Sequence, residues 1–164
     1  MTDSTSYEAD FHAWAMRNAR LLRQGRLTDL DIEHIAEELE SMGASERREL
    51  LSRLQVLLLH LLKYQFQPER RGKSWLLAIN HQRTAIERLL EQSPSLARML
   101  DDAQLGKVYG KAVRDAIIET DLDRHLFPTE CPYALIQVLD EDLSLIHISE
   151  PTRLLRRSRM PSSA

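Results

Sequence analysis

Apolar residues recur along most of this chain at intervals of three and four, the spacing that gathers side chains on one face of an α-helix. From Tyr7 they fall at Phe11, Trp14, Ala15, Leu21 and Leu22, with the polar Asn18 on the same face. That pattern predicts a helix over 7–24, ended by Gly25. Thr28 or Asp29 is placed to cap a second helix through Ser41. Its stripe of Leu30, Ile35, Leu39 and Met42, with Ile32 beside it, is expected to face the core, and Gly43 to stop it. A third helix, over 44–66 with Ser45 as its cap, begins one-sided at Leu50, Leu51 and Leu54. It becomes apolar nearly all round in VLLLHLL, residues 56–62. A helix apolar on every side is surrounded by others, so this one is expected at the centre.

Gln67-Pro68 breaks that helix, because the residue before a proline is pushed out of the helical region. Residues 69–73 form a charged loop, and Ser74 opens a fourth helix to about Gln92, with Trp75, Leu76, Ile79, Ile86, Leu89 and Leu90 inward. Pro94 starts a short fifth helix ending near Asp101, proline being suited to a first turn. A sixth runs over 103–120 with Val108, Tyr109, Ala112, Val113, Ala116 and Ile117 inward. Residues 121–132 read as irregular and 133–139 as a last helical turn. No segment alternates as a strand would, and no Asn-Gly hairpin signal occurs. The prediction is an all-α fold: a compact single-domain bundle of five to six helices around 44–66, spanning 7–142 after a disordered start at 1–6.

The last stretch departs from this pattern. Residues 143–153 read LSLIHISEPTR and residues 158–164 read SRMPSSA. In that order they resemble the translated sequence of a transposase-type sequencing adapter, with a sample index between them. Residues 143–164 are therefore expected to be an artefactual tail that contributes nothing to the fold. Setting them aside removes four arginines and one glutamate, so the net charge becomes −6 instead of −3. Binding to nucleic acid through the overall field is then not expected, since a net-acidic domain repels phosphate backbones.

Composition narrows the class further. With 164 residues, 43% of them apolar, the chain is long enough for one real core. A single cysteine, Cys131, excludes a disulfide framework and a cysteine-only zinc site. No apolar run approaches the roughly 20 residues that span a bilayer. The opening MTDSTSYEAD lacks a basic stretch followed by an apolar one, so no signal peptide is expected and the default location is the cytoplasm.

Two groups of side chains carry candidate chemistry. His34 and Glu37 stand three apart and His34 and Glu38 four apart, so each pair shares a helix face. With His60 and His81 from other helices they make a candidate metal set, since bundles build metal sites from facing helices. The plainer reading has the carboxylates as a solvated face and His60 as a satisfied polar group in the core. The second group is Lys63, Arg70, Arg71, Lys73 and Trp75, basic residues and an indole around the charged loop. Arginines near a helix start suit a phosphate or carboxylate, and an indole suits a base or a cation. Here the plainer reading pairs Arg70 and Arg71 with Glu37, Glu38 and Glu40 and packs Trp75 in the core. Cys131, in ECPY, has no local basic partner to activate it. No Walker loop, dinucleotide fingerprint or zinc-metalloprotease helix motif is present.

The stretch LLLHLLKYQFQPERRGKSWLLAINHQR, residues 57–83, resembles the bacterial family catalogued as domain of unknown function 29. The likeness extends through YEADFHAWA, HIAEELESMGASERREL, LLEQSPSL and FPTECPYALIQVLDED, covering 7–142. The resemblance implies a compact helical bundle and no established activity, so it carries over no catalytic residue. Residues and resemblance together point to a protein-interaction module with an unidentified protein partner, no cofactor and no membrane contact. Metal-dependent chemistry and nucleotide or nucleic-acid binding through the Arg70–Trp75 loop are the alternatives.

Overall fold

The computed structural model describes residues 6–140; residues 1–5 and the adapter-like tail lie outside the described residues. Its helices are α1 (Phe11–Arg23), α2 (Ile32–Phe66), α3 (Lys73–Gln92), α4 (Asp102–Thr120) and the short α5 (Leu135–Leu139). Single 3₁₀ segments lie at Leu27–Asp29, Pro68–Arg70, Pro94–Met99 and Arg124–Leu126. No strand occurs among the described residues, so the fold is all-α as the periodicity predicts. The chain divides into two compact units at Glu46, and α2 runs through the division.

In the first unit, α1 starts where the Asp10 carboxylate accepts the Ala13 N–H at 2.9 Å. It ends in a Schellman motif: the Gly25 N–H bonds the Leu22 carbonyl and the Arg26 N–H the Leu21 carbonyl, both at 3.0 Å. Gly25 takes φ 69°, a conformation that costs a side-chain-bearing residue and explains why glycine stands there. Asn18 then ties the following loop to α1. Its amide donates to the Trp14 carbonyl, and its oxygen accepts the Asp31 N–H, both at 3.0 Å. Asp31 immediately precedes α2, so this bond fixes where that helix begins.

Two expected helices, ending at Ser41 and starting at 44, are one helix of 35 residues. Gly43 does not stop it. A glycine ends a helix by turning left-handed, and of the glycines only Gly25 does so. Within a helix glycine costs only about 1 kcal/mol against alanine, too little to break one with good helix formers on both sides. Ser45 accordingly lies mid-helix rather than at a cap.

The second unit holds the core. Leu57, Leu58, Leu61 and Leu62 of α2 are fully buried and Leu59 nearly so, as an all-round apolar segment requires. Around them pack Ile79 and Ile86 of α3, Val108, Tyr109, Ala112, Val113 and Ala116 of α4, and Phe127, Tyr133 and Val138 beyond it. Three polar side chains inside find partners. The Tyr109 hydroxyl donates to the Pro128 carbonyl at 2.7 Å, Tyr133 donates to Gln65, and the buried Arg83 donates through Nε to the Val138 carbonyl at 2.9 Å. These bonds pin the irregular stretch after α4, which lacks a helical ladder of its own. Gly72, not Ser74, stands at the cap of α3, and Pro94–Met99 is a 3₁₀ segment rather than an α-helix. Trp75 is half-buried rather than part of the core.

Candidate functional site

The basic loop sits in the second unit and is largely occupied by its own structure. Lys63 reaches Glu119 at 2.6 Å, and its ammonium lies 5.0 Å from the centre of the Trp75 ring. One face of that indole is thus taken by a cation of the same chain. Arg71 donates through Nε to the Tyr64 carbonyl at 2.7 Å, and its guanidinium lies 4.8 Å from the Tyr64 ring centre. Tyr64 is in the last turn of α2, where carbonyls lack helical partners, so Arg71 caps the helix that precedes its loop. Arg70 and Lys73 remain exposed.

The candidate metal set is not assembled among the described residues. Among the described residues, no three His, Cys, Asp or Glu side chains are grouped to hold a metal ion. The His60 Nδ1–H donates to the Val56 carbonyl of its own helix at 2.8 Å, and His81 is exposed. His34 takes neither Glu37 nor Glu38 as a partner but Asp31, at 2.8 Å. Glu38 accepts a hydrogen bond from the Tyr7 hydroxyl at 2.5 Å, and Glu37 is exposed. Carboxylates three and four residues from a histidine share its face, but a ligand set needs side chains converging from several elements.

A different cluster forms in the first unit. The Tyr7 ring stacks on the His34 imidazole, centres 4.3 Å apart at 21°, and meets Trp14 edge-on at 4.9 Å. Phe11 lies 5.5 Å from Trp14. The Trp14 Nε1–H donates to Asp31 at 2.9 Å, onto the same oxygen that accepts from His34. The indole bond, joined by the His34 bonds, holds the Asp31 carboxyl below its ordinary range. The bond to Asp31 pushes His34 upward against its partial desolvation, with Glu37 and Glu33 adding in the same direction. The bond to Glu38 likewise raises the Tyr7 phenol. Beside this cluster opens a cleft of about 230 Å³, lined by Tyr7, Trp14, Arg17, Asn18, Asp31 and His34 among others. Of this group only His34 and Glu38 stood out in the sequence. The available signal for the rest was Asp31 three residues before His34, read from the front of the helix instead of behind it.

The third feature reverses an expectation. Leu39 and Met42, assigned to a core-facing stripe, are 64% and 65% exposed and Ile32, placed beside it, is 65% exposed, while Leu30 and Ile35 of the stripe are half-buried. On a helix these positions fall within a narrow arc, seven and three residues being close to whole turns. Trp14, Asn18 and Leu21 are the buried residues of α1, and Asp31, just before α2, holds the aromatic cluster together with the side of α2 bearing His34 and Glu38. The apolar arc next to it is left bare. Periodicity identifies an apolar face but not whether anything in the same chain covers it.

A family model described as "Domain of unknown function DUF29" matches residues 6–144. No curated protein and no solved structure matches the chain.

Proposed function

Since this chain belongs to the family described as Domain of unknown function DUF29, which names no reaction, we propose a function from its surface: a protein-interaction module that docks a partner on the first turns of α2. We place its action in the cytoplasm; among the described residues, no helix is long and apolar enough to cross a membrane. One observation carries this reading. Three large apolar side chains, Ile32, Leu39 and Met42, stand exposed along one arc of a regular helix. A scattered exposed leucine needs no explanation, but an aligned row on a rigid element is the geometry by which helices dock.

The test uses the full chain as bait in a native lysate, beside a variant carrying Leu39→Ser and Met42→Ser. The wild type is expected to retain a specific partner that the variant loses, while the variant's stability changes by less than about 1 kcal/mol, because both positions face solvent. A wild type that retains no specific partner, or a variant that retains the same one, overturns the reading.

A further inference from the structure

Tyr7 attaches the residues ahead of α1 to α2 through one side chain. Among the described residues, the backbone bonds of residues 6–10 are all local. The Ala9 and Asp10 N–H groups donate to the Ser6 carbonyl at 3.1 and 3.0 Å, and the Asp10 carbonyl accepts from Trp14 at 3.0 Å. Ser6, Glu8, Ala9 and Asp10 are exposed, and only Tyr7 of this stretch is half-buried. Its hydroxyl donates to Glu38 and its ring stacks on the His34 imidazole, so both links to α2 end on groups that titrate. The same ring stands edge-on against Trp14, which is 6% exposed. A segment held by one side chain, with no hydrogen-bonded ladder behind it, opens more cheaply than the helices it rests on.

We propose that Tyr7 is a pH-sensitive latch, which holds over Trp14 and the adjoining cleft when His34 is protonated and loosens when His34 is neutral. An imidazolium lying on the face of a phenol ring is a cation over a π-system, and that attraction disappears with the proton. The His34 side chain is 36% exposed, so it exchanges protons with solvent while the latch is shut. The charges around it come from three directions. Asp31, ahead of α2, bonds its Nδ1. Glu33, Glu37 and Glu38 lie on its own helix, the last bonded to Tyr7. Glu8, Arg17 and Asp29 line the same cleft, Asp29 being paired with Arg26 at 2.5 Å. Carboxylates outnumber cations here, in keeping with the upward direction of the His34 pKa. The Tyr7 phenol is pushed above its ordinary 10.0 by the Glu38 bond, so it stays neutral while His34 titrates. The latch is therefore fully held below the ordinary histidine value of 6.5 and loosens as pH rises through the higher folded value.

The coupling is reciprocal: the factor by which the proton favours closure is the factor by which the closed ring favours the proton. For a cation over a ring at an exposed site that factor is about two- to fivefold, or about 0.3–0.7 pH unit in the His34 midpoint. The first experiment is an NMR titration of His34 in the full-length protein. Tyr7→Leu is expected to lower its midpoint by that amount. Tyr7→Phe, which keeps the ring and loses the bond to Glu38, is expected to keep most of the effect. The second experiment reads the opening itself. Trp14 and Trp75 are the two tryptophans of the chain, so in a Trp75→Phe background acrylamide quenching reports on Trp14 alone. The quenching rate constant, taken from fluorescence lifetimes, is expected to at least double as pH rises through the His34 midpoint. It should stay level over the same range in His34→Gln. A His34 midpoint that Tyr7→Leu leaves unmoved overturns the proposal, and so does quenching that ignores the His34 titration. A midpoint that rises in Tyr7→Leu overturns it as well, because the ring would then act by shielding His34 from water.

Discussion

Asp31 serves three partners at once. Its carboxylate accepts from Trp14 and His34, and its backbone N–H donates to Asn18. A carboxylate holding two donors favours its charged form, and the charge it keeps favours protonated His34. The linkage then has two signs. His34 has a raised folded pKa, so its contribution to stability is fully present below the ordinary value of 6.5 and is lost as pH rises through the higher folded value. Asp31 has a lowered folded pKa, so its contribution is present above the ordinary 3.8 and is lost as pH falls through the lower folded value. The contact is complete between those two ordinary values. In an NMR titration His34 is expected to titrate above 6.5 and to move down in Asp31→Asn, where the attracting charge is gone. A His34 midpoint at or below 6.5, or one indifferent to Asp31→Asn, would remove the cluster's electrostatic account. Asn18 bears on the same site through packing: it is buried and bonds both Trp14 and Asp31, which makes it a structural rather than a chemical residue.

At the scale of the element, α2 shows how far local rules reach. Its second half was legible because seven residues with one histidine among them allow no solvent-facing side, and burial agrees. Its continuity through Gly43 was not, since a glycine looks the same in sequence whether it terminates a helix or rides within one. The structure separates the two cases: Gly25 has a positive φ and the Schellman bonds, and Gly43 has neither. An added Cβ at Gly43 would meet nothing within 4 Å. Gly43→Ala is therefore expected to stabilise the protein by about 0.5–1 kcal/mol, through the reduced entropy of the unfolded chain and better helix propensity. Urea denaturation followed by circular dichroism checks it; a destabilised variant would mean that the helix bends or breaks there in solution. At Gly25 the same change is expected to destabilise, because alanine resists the left-handed conformation.

For the whole molecule, the contrast that matters is between apolar residues that hold the fold and apolar residues that do not. Leu58 and Leu39 are the same side chain on the same helix, one fully buried and the other mostly exposed. Leu58→Ala is expected to cost about 2–5 kcal/mol, the transfer of a leucine plus the cavity it leaves. Leu39→Ala is expected to stay within about 0.5 kcal/mol, as surface changes do. Equal losses in chemical denaturation would show that Leu39 is covered in solution, and the docking surface would then be discarded. The basic loop falls on the structural side of the same contrast. Lys63 and Arg71 are engaged with Glu119, Trp75 and Tyr64, and what singled them out in sequence was their density, which says nothing about whether partners are near.

The all-α class, the central apolar segment of α2, the inward face of α4 and the stop at Gly25 follow from the sequence by itself. Each depends on spacing along one helix or on the stereochemistry of one residue, and both are local. Only the tertiary structure decided which partner each polar side chain takes. His34 turned to Asp31 rather than to Glu37 or Glu38, and Arg71 turned back to Tyr64. It also decided that the row of Ile32, Leu39 and Met42 faces solvent while the leucines further along the same helix are enclosed. An amphipathic pattern states that a face is apolar; whether that face is covered depends on which other surfaces arrive against it, and no local rule encodes that.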